Sequence, residues 1–296
     1  MKALVTGFLP ACFLNMAVAA NCPPEGHSLE ELLALPAKKF NVDDNEARNS
    51  LARGLVVCVG HPDPAVRDGV VYSAYATWLR GQALSDETIL ILLESLAEQL
   101  DAKDAGGFSA PFAALGLSEV ARSDRITPLF EPVQRDVLVN NAASYLEGVR
   151  DYRGFSDEDG WRHGVAHGAD LALQLVLNDE VTASQVSHLL DAVLVQVTPE
   201  GEVFYTFGEP ARLARPVFYA YLREDVGATF WDAWFASLLD PTPMASWQES
   251  WQSRVGLARR HNLQSFLQAL YILSDSSELP SASSLKGRTM QALAAM

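Results

Sequence analysis

Segments of helical periodicity follow one another along almost the whole of this chain, with only short turns between them. Apolar residues recur at intervals of three and four, as on one face of an amphipathic helix, and Gly, Pro and Asp mark the connections. A capping box from Ser28 to Glu31 starts the first segment. Helices are predicted over residues 29–38, 45–60, from 64 past 78, 88–100, 109–122, 132–149, 158–177, 182–197, 209–223, 227–239, 245–273 and 281–294.

The spacing of these segments predicts an all-α fold. About a dozen helices joined by tight turns give a helix-pair period near forty residues, which is typical of HEAT-like stacking. The predicted architecture is therefore a HEAT-like α-α superhelix, a solenoid of helical hairpins, and a closed α/α toroid is the alternative. The one extended-looking stretch, 203–207, lies between Gly201 and Gly208 and predicts a short ribbon.

The N-terminal segment has the pattern of a cleavable signal peptide over residues 1–20. Lys2 provides a small positive region, residues 3–16 are apolar, and Ala17-Val18-Ala19 gives the small-x-small cleavage pattern. The apolar run is too short for a permanent span. We expect a mature chain of residues 21–296, a single domain with no membrane span, that is periplasmic or secreted.

Export changes how the three cysteines are interpreted. Cys12 leaves with the signal peptide, and two thiols in an oxidising compartment usually pair. A Cys22–Cys58 disulfide is predicted, which would tie the new N-terminus to the body of the fold. The alternative is that Cys58 is a buried free thiol.

The charge of the chain argues against one class of partner. There are 22 Lys and Arg against 37 Asp and Glu, for a net charge of −15. Such a surface repels nucleic acid and anionic lipid, and the basic residues form no stripe along the sequence. We therefore exclude nucleic-acid binding and expect a small-molecule or protein partner.

The stretch GWRHGVAHGAD, residues 160–170, carries the candidate chemistry. On a helical wheel, His163, His167, Asp170 and Gln174 fall within about 60° of one another. The rest of this segment is apolar or small apart from Arg162, whereas an ordinary solvent face carries mostly Lys, Glu and Arg. Two imidazoles and a carboxylate in one narrow stripe predict a groove or a buried polar layer.

Three interpretations of the stripe remain open. His163 and His167 have the i, i+4 spacing of helical zinc ligands, with Asp170 as a possible third ligand. Alternatively, the stripe lines a ligand-binding groove with Trp161, Glu209 and Arg212. In the structural interpretation, Asp170 holds a histidine tautomer, and Arg153 or Arg212 neutralises it.

The stretch DYRGFSDEDGWRHGVAHGADLALQL resembles the hallmark segment of a bacterial family, the domain of unknown function 2785. The matching positions are Asp151, Arg153, Gly154, Gly160, Trp161, His163, Ala166, His167, Ala169, Asp170 and Leu171. Further similarity includes Arg67 and Asp68 upstream, Glu209 and Arg212 downstream, and the stretches FSAPFAALGLSEVARSD and NLQSFLQALYIL. The resemblance implies an all-helical, solenoid-like domain and carries no assigned activity.

Taken together, these features predict an exported helical solenoid that binds a ligand or partner without catalysis. The alternative is a metal-dependent hydrolase centred on His163, His167 and Asp170, with zinc as the possible cofactor. Gly164 stands where the HExxH metalloproteases have their glutamate base, so Glu209 or Asp157 would have to supply it.

Overall fold

A computed structural model of the chain describes residues 22–296. The predicted signal peptide therefore lies outside the described residues. These residues are 67% helical, which confirms the all-α prediction. The α-helices are α1 (Leu29–Leu33), α2 (Asn45–Gly54), α3 (Pro64–Val66), α4 (Ser73–Arg80), α5 (Asp86–Glu98), α6 (Ser109–Ile126), α7 (Pro132–Gly148), α8 (Gly164–Val176), α9 (Ala183–Val197), α10 (Glu209–Leu222), α11 (Ala228–Leu238), α12 (Arg254–Asp275) and α13 (Pro280–Ala294). Short 3₁₀ helices cover Pro36–Lys38, Leu55–Cys58 and Trp247–Gln252.

From α4 onward the helices pack in two rows that alternate along the chain. In the even row, α4, α6, α8, α10 and α12 each pack against the next, and in the odd row α7, α9 and α11 do the same. Contacts of α6 with α5, of α8 with α7 and α9, and of α10 with α9 join the rows, while α13 packs on α10 and α12. This order is the one that stacked helical hairpins require.

The contacts favour an open stack over a toroid. A toroid requires its first and last hairpins to meet, and among residues 22–296 neither α12 nor α13 packs extensively against α1–α6. That the stacked helices form a HEAT-like superhelix stays a prediction. Within the same residues, no helix is both long and apolar enough to cross a membrane.

The N-terminal segment is fixed to the stack by the Cys22–Cys58 disulfide. The two sulfurs are 2.06 Å apart and the two Cα atoms 5.1 Å apart, well inside the range that a disulfide can bridge. Cys58 is completely buried at the end of the second 3₁₀ helix. The predicted pairing is therefore present in the structure, and it closes a loop across 36 positions.

The helix from Pro64 to Arg80 is not regular. Asp63 caps it, with its carboxylate accepting a hydrogen bond from the Ala65 amide, and Pro64 occupies the first helical position, where proline is favoured. A π-helical turn over Arg67–Tyr72 then separates α3 from α4. Such turns are often found at functional sites, and this one carries the buried Arg67.

A two-stranded antiparallel ribbon lies directly before α8. Its strands are β1 (Phe155–Ser156) and β2 (Gly160–Trp161), with Phe155 opposite Trp161. Two further backbone hydrogen bonds, from Arg162 to Gly154 and from His163 to Arg153, extend the pairing towards the helix. The predicted helix over 158–177 therefore begins too early, because Gly160 and His163 both have a positive φ that interrupts a helix.

Residues 203–207 do not form the short ribbon that their sequence allows. Asn262 of α12 satisfies the backbone of this stretch instead of a partner strand. The Asn262 side chain accepts a hydrogen bond from the Tyr205 amide at 3.0 Å and donates one to the Val203 carbonyl at 2.8 Å. Because buried backbone groups need partners, one buried asparagine removes the need for a second strand.

Candidate functional site

Three exposed aromatic side chains meet where the ribbon faces the start of α10. The Trp161 ring centroid is 5.1 Å from that of Phe155 and 6.1 Å from that of Phe207. These side chains are 37%, 43% and 40% exposed, respectively. We call Phe155, Trp161 and Phe207 the aromatic patch. An exposed apolar cluster of this kind marks an interaction site more often than scattered apolar residues do.

Glycine at position 154 allows the patch to form. A Cβ atom at Gly154 would lie 2.0 Å from the Phe207 ring, so a larger residue would displace the phenyl group. Glu209 fixes the same loop from below, because its buried carboxylate accepts a hydrogen bond from the Phe207 amide at 2.9 Å. Burial raises the pKa of Glu209. The predicted site residue Glu209 thus supports the patch from the first turn of α10.

His163 lies beneath the patch in a strained conformation. It precedes α8 with φ 57° and ψ 36°, in the left-handed region that non-glycine residues rarely adopt. Its ring is stacked on Trp161 with centroids 4.7 Å apart, and the residue is only 8% exposed. Burial first, and then the charge of Arg212, lowers its pKa to about 4. Among the described residues, its Nε2 has no hydrogen-bond partner.

His167 is the second buried imidazole, one turn along α8. Its ring centroid is 5.7 Å from that of His163, and its edge meets Phe112 at 5.1 Å. Burial, followed by the charge of His163, lowers its pKa to about 3, so the ring is neutral at pH 7. Its Nδ1 lies 3.1 Å from the Pro111 carbonyl and therefore carries the proton.

Asp170 pairs with Arg212 across α8 and α10. Burial raises the pKa of Asp170, and the Arg212 charge opposes that rise. The structure thus places Arg212 where the structural interpretation requires a neutralising group. The other part of that interpretation is wrong: the Pro111 carbonyl, and not Asp170, fixes the tautomer of His167.

Asp151 and Arg153 form their own pair at 2.5 Å, before the ribbon. Arg153 also donates to the Gly106 carbonyl at 3.2 Å, so the pair holds the loop between α5 and α6 against the ribbon. Burial alone would raise the pKa of Asp151, but hydrogen bonds from the side chain and backbone of Arg153, together with the arginine charges nearby, hold that pKa low. Arg153 is thus engaged with Asp151, and of the two arginines predicted as partners of Asp170 it is Arg212 that forms the pair.

The predicted metal ligands are not arranged as a metal centre. Residues 22–296 contain no group of three or more His, Cys, Asp and Glu side chains placed to hold a metal ion. Asp170 is directed to Arg212, and the Nδ1 of His167 to a backbone carbonyl. His163 and His167 do lie near each other, with ring centroids 5.7 Å apart. Among the described residues, however, no third ligand joins them.

Arg67 holds the ribbon in place and was not identified as a site residue by its sequence pattern. It is fully buried, and its guanidinium carbon lies 4.1 Å from the Phe108 ring centroid and 4.7 Å from that of Phe112. It donates hydrogen bonds to the carbonyls of His61, Pro62 and Asp159. Because Asp159 lies in the turn of the ribbon, Arg67 positions the strand that carries Trp161.

A cavity of about 410 Å³ lies between α6, α7 and the loop before the ribbon. Asp104, Pro111, Tyr145, Asp151 and Gly164 are among the residues that line it. The Tyr145 hydroxyl donates to the Gly164 carbonyl at 3.3 Å. The cavity reaches the first turn of α8, and neither histidine lines it.

The packing and the site together define an all-helical protein with an aromatic surface patch. Over residues 92–272 the chain matches a family described as "Protein of unknown function (DUF2785)". The match covers more than half of the 296 residues, and the chain belongs to this family, as its central motif predicted. The matched region contains the aromatic patch and α8. No curated protein and no solved structure matches the chain significantly.

Proposed function

We propose that this protein is an exported, non-catalytic binding module that holds a polypeptide partner at the aromatic patch. The observation that carries the proposal is the exposure of Phe155, Trp161 and Phe207, with Trp161 stacked on His163, whose Nε2 is buried without a hydrogen-bond partner among the described residues. Aromatic side chains dominate the energetics of protein interfaces because they bury a large area with little loss of side-chain entropy.

The unpartnered nitrogen supplies the polar part of the argument. Leaving a buried polar atom without a hydrogen bond costs about 1 to 3 kcal/mol, and the left-handed backbone of His163 adds strain. Because Nε2 is buried under the Trp161 ring, a partner reaches it only by shifting that ring, and a hydrogen bond formed there would recover the first of these costs. We therefore infer that the partner places an apolar side chain against the patch and a backbone or side-chain polar group at His163.

The alternative of a metal-dependent hydrolase is the weaker proposal. It requires Asp170 to leave Arg212 and to turn towards the two imidazoles. Among residues 22–296 no carboxylate joins the two histidines in a group that could hold a metal ion, and Glu209 is occupied by the Phe207 amide. The geometry therefore supports binding better than hydrolysis.

Export to the periplasm or the exterior is part of the proposal. The disulfide between Cys22 and Cys58 supports it, because structural disulfides form in oxidising compartments. The pattern of residues 1–20 supports it independently. A HEAT-like superhelix remains the proposed form of the stack.

A displayed library of random peptides tests the proposal. Peptides selected on the wild-type protein are synthesised, and their Kd is measured against the wild type, Trp161→Ala and Trp251→Ala. Trp251 is 61% exposed on a different part of the chain, so it is a matched control for removing a surface indole. We expect Trp161→Ala to weaken binding by about tenfold or more, as for an interface anchor, and Trp251→Ala to leave Kd unchanged.

Two results would overturn the proposal. One is that selection yields no peptide with a Kd below about 1 mM, which corresponds to only about 4 kcal/mol of binding energy. The other is that the selected peptides bind Trp161→Ala as well as they bind the wild type. A third variant, His163→Phe, keeps an aromatic ring under Trp161 and removes Nε2, so it tests the polar contact by itself.

A further inference from the structure

Four arginines from two helices lie beside the part of α8 that carries Asp170 and Gln174. Arg122 and Arg125 belong to α6, and Arg212 and Arg215 to α10. Both helices pack directly against α8. We call these four residues the arginine stripe. Two contacts connect it to α8: the Arg125 Nε donates to Gln174 at 3.1 Å, and Arg212 pairs with Asp170.

The stripe is a local excess of positive charge in an acidic protein. Within residues 22–296, Asp170 is the one carboxylate that forms an ion pair with any of the four arginines, which leaves a balance of 4 − 1 = +3. The chain as a whole has a net charge of −15. Burial, together with the neighbouring charge of Arg122, lowers the pKa of Arg125. The described structure thus holds these cations together without enough anions to compensate them.

A local structural role explains only half of the stripe. Arg122 and Arg125 lie in the last turns of α6, where the helix dipole favours a cation. Arg212 and Arg215 lie in the first half of α10, where the dipole gives no such benefit. Nearby Glu119 does not compensate the stripe, because it is already paired with Arg80 of α4. Arg212 and Arg215 are exposed, so an external anion can reach this part of the stripe.

We propose that the arginine stripe binds the carboxylates of an acidic segment in the same polypeptide that anchors at the aromatic patch. This inference rests on the proposed function and adds the chemistry of the partner. Arginine suits carboxylates because its planar guanidinium can bind both oxygens. The net negative charge of the whole protein repels an acidic ligand. The electrostatic attraction for its carboxylates therefore has to come from the arginine stripe.

The distance along α8 fixes the spacing within the partner. His163 and Gln174 are eleven positions apart (174 − 163), which corresponds to about 16 Å of helix. An extended peptide covers that distance in about five residues. The partner should therefore carry its acidic residues about five positions away from the apolar anchor.

Three fluorescein-labelled peptides test the inference by fluorescence polarisation. They share one apolar anchor and a five-residue spacer, and they end in four Glu, four Gln or four Lys residues. We expect the Glu peptide to bind the wild type about tenfold more tightly than the Gln peptide at low salt, and the Lys peptide to bind no better than the Gln peptide. The Glu advantage should shrink as the ionic strength rises from about 0.05 to 0.5 M, because salt screens exposed charges.

A double variant, Arg125→Gln with Arg215→Gln, should remove most of the Glu advantage and leave the Kd of the Gln peptide unchanged. The matched control is Arg254→Gln with Lys286→Gln, which removes one exposed and one half-buried cation elsewhere. Circular dichroism shows whether each variant is folded, and the salt dependence of the wild type tests the stripe without any variant.

The two proposals fail in different ways. Equal affinity for the Glu and Gln peptides, with loss of both in Trp161→Ala, overturns the stripe and keeps the aromatic patch. A Glu advantage that the double variant abolishes but Trp161→Ala does not change keeps the stripe and overturns the patch as the anchor. Binding of the Lys peptide in preference to the Glu peptide overturns the stripe as well.

Discussion

The indole of Trp161 lies on the imidazole of His163, with ring centroids 4.7 Å apart and planes inclined by 18°. The exposed ring shields the buried one from water. His163 therefore owes part of its desolvation to a side chain that is itself on the surface. The pKa of His163 should therefore depend on whether Trp161 is present.

Trp161→Ala should raise the pKa of His163 from about 4 towards its ordinary value of 6.5, because water then reaches the ring. The titration of the His163 ring by NMR measures this change. Trp251→Ala should leave it unaltered. An unchanged pKa in Trp161→Ala would show that other neighbours desolvate His163.

Acid should destabilise the protein through its two neutral histidines. Burial lowers the pKa of His163 to about 4 and of His167 to about 3, from 6.5 in each case. The unfolded chain therefore binds protons at a higher pH than the folded chain does. The stability gained from the neutral rings is present above pH 6.5 and is lost as the pH falls towards 4, by up to about 1.4 kcal/mol per pH unit for each histidine.

The variant His167→Asn isolates this effect. Asp170 and Glu209 have raised pKa values and act in the opposite direction, because the folded state takes up their protons first as the pH falls. Comparing the unfolding free energy of the variant with that of the wild type between pH 7 and 4 removes their contribution. Parallel curves for the two proteins would show that His167 does not titrate as its burial implies.

Arg67→Met should destabilise the fold by about 3 kcal/mol. It strands buried carbonyls and breaks the ion pair that Arg67 forms with Asp68 at 2.9 Å. The methionine fills similar space but cannot donate to His61, Pro62 or Asp159. Chemical denaturation gives the magnitude. Arg254→Met, at a side chain that is 72% exposed, should cost under about 0.5 kcal/mol, and a similar cost for the two variants would contradict the role of Arg67.

Reducing the disulfide should lower stability by at most about 4 kcal/mol, the chain-entropy value for a loop of this length. Thermal unfolding with and without dithiothreitol measures the loss. Cys22→Ser should unfold at the temperature of the reduced wild type and show no response to the reductant. A wild-type melting temperature that does not depend on reductant would mean that the N-terminal segment contributes little to the fold.

Most helices could be predicted from periodicity and capping alone, because the apolar faces that pack in the two rows repeat locally. The helix predicted over 182–197, for example, is Ala183–Val197 in the structure, preceded by the cap Thr182. The start of α8 could not be predicted in this way. Its boundary depends on the positive φ of His163 and on a ribbon whose residues look like a continuation of the helix.

The site was predictable only where its residues share one element. His167 and Asp170 both lie on α8 and His163 immediately precedes it, and the proximity of Asp170 to Arg212 was anticipated. The role of Phe207 was not, because it meets Trp161 from a loop 46 positions away (207 − 161). The arginine stripe was also missed, since its members form no stripe along the sequence and meet only when α6 and α10 pack on α8.

The π-helical turn at Arg67–Tyr72 acts as a one-residue insertion within the helix that ends at Arg80. Each residue of an α-helix rotates the chain by about 100°, so deleting one residue here would turn Arg80 about a quarter of a revolution relative to Arg67. Arg67 stacks on Phe112, and Arg80 pairs with Glu119, so both arginines contact α6. The π-helical turn thus directs both arginines towards α6. A regular α-helix here would turn one of them away and break its contact.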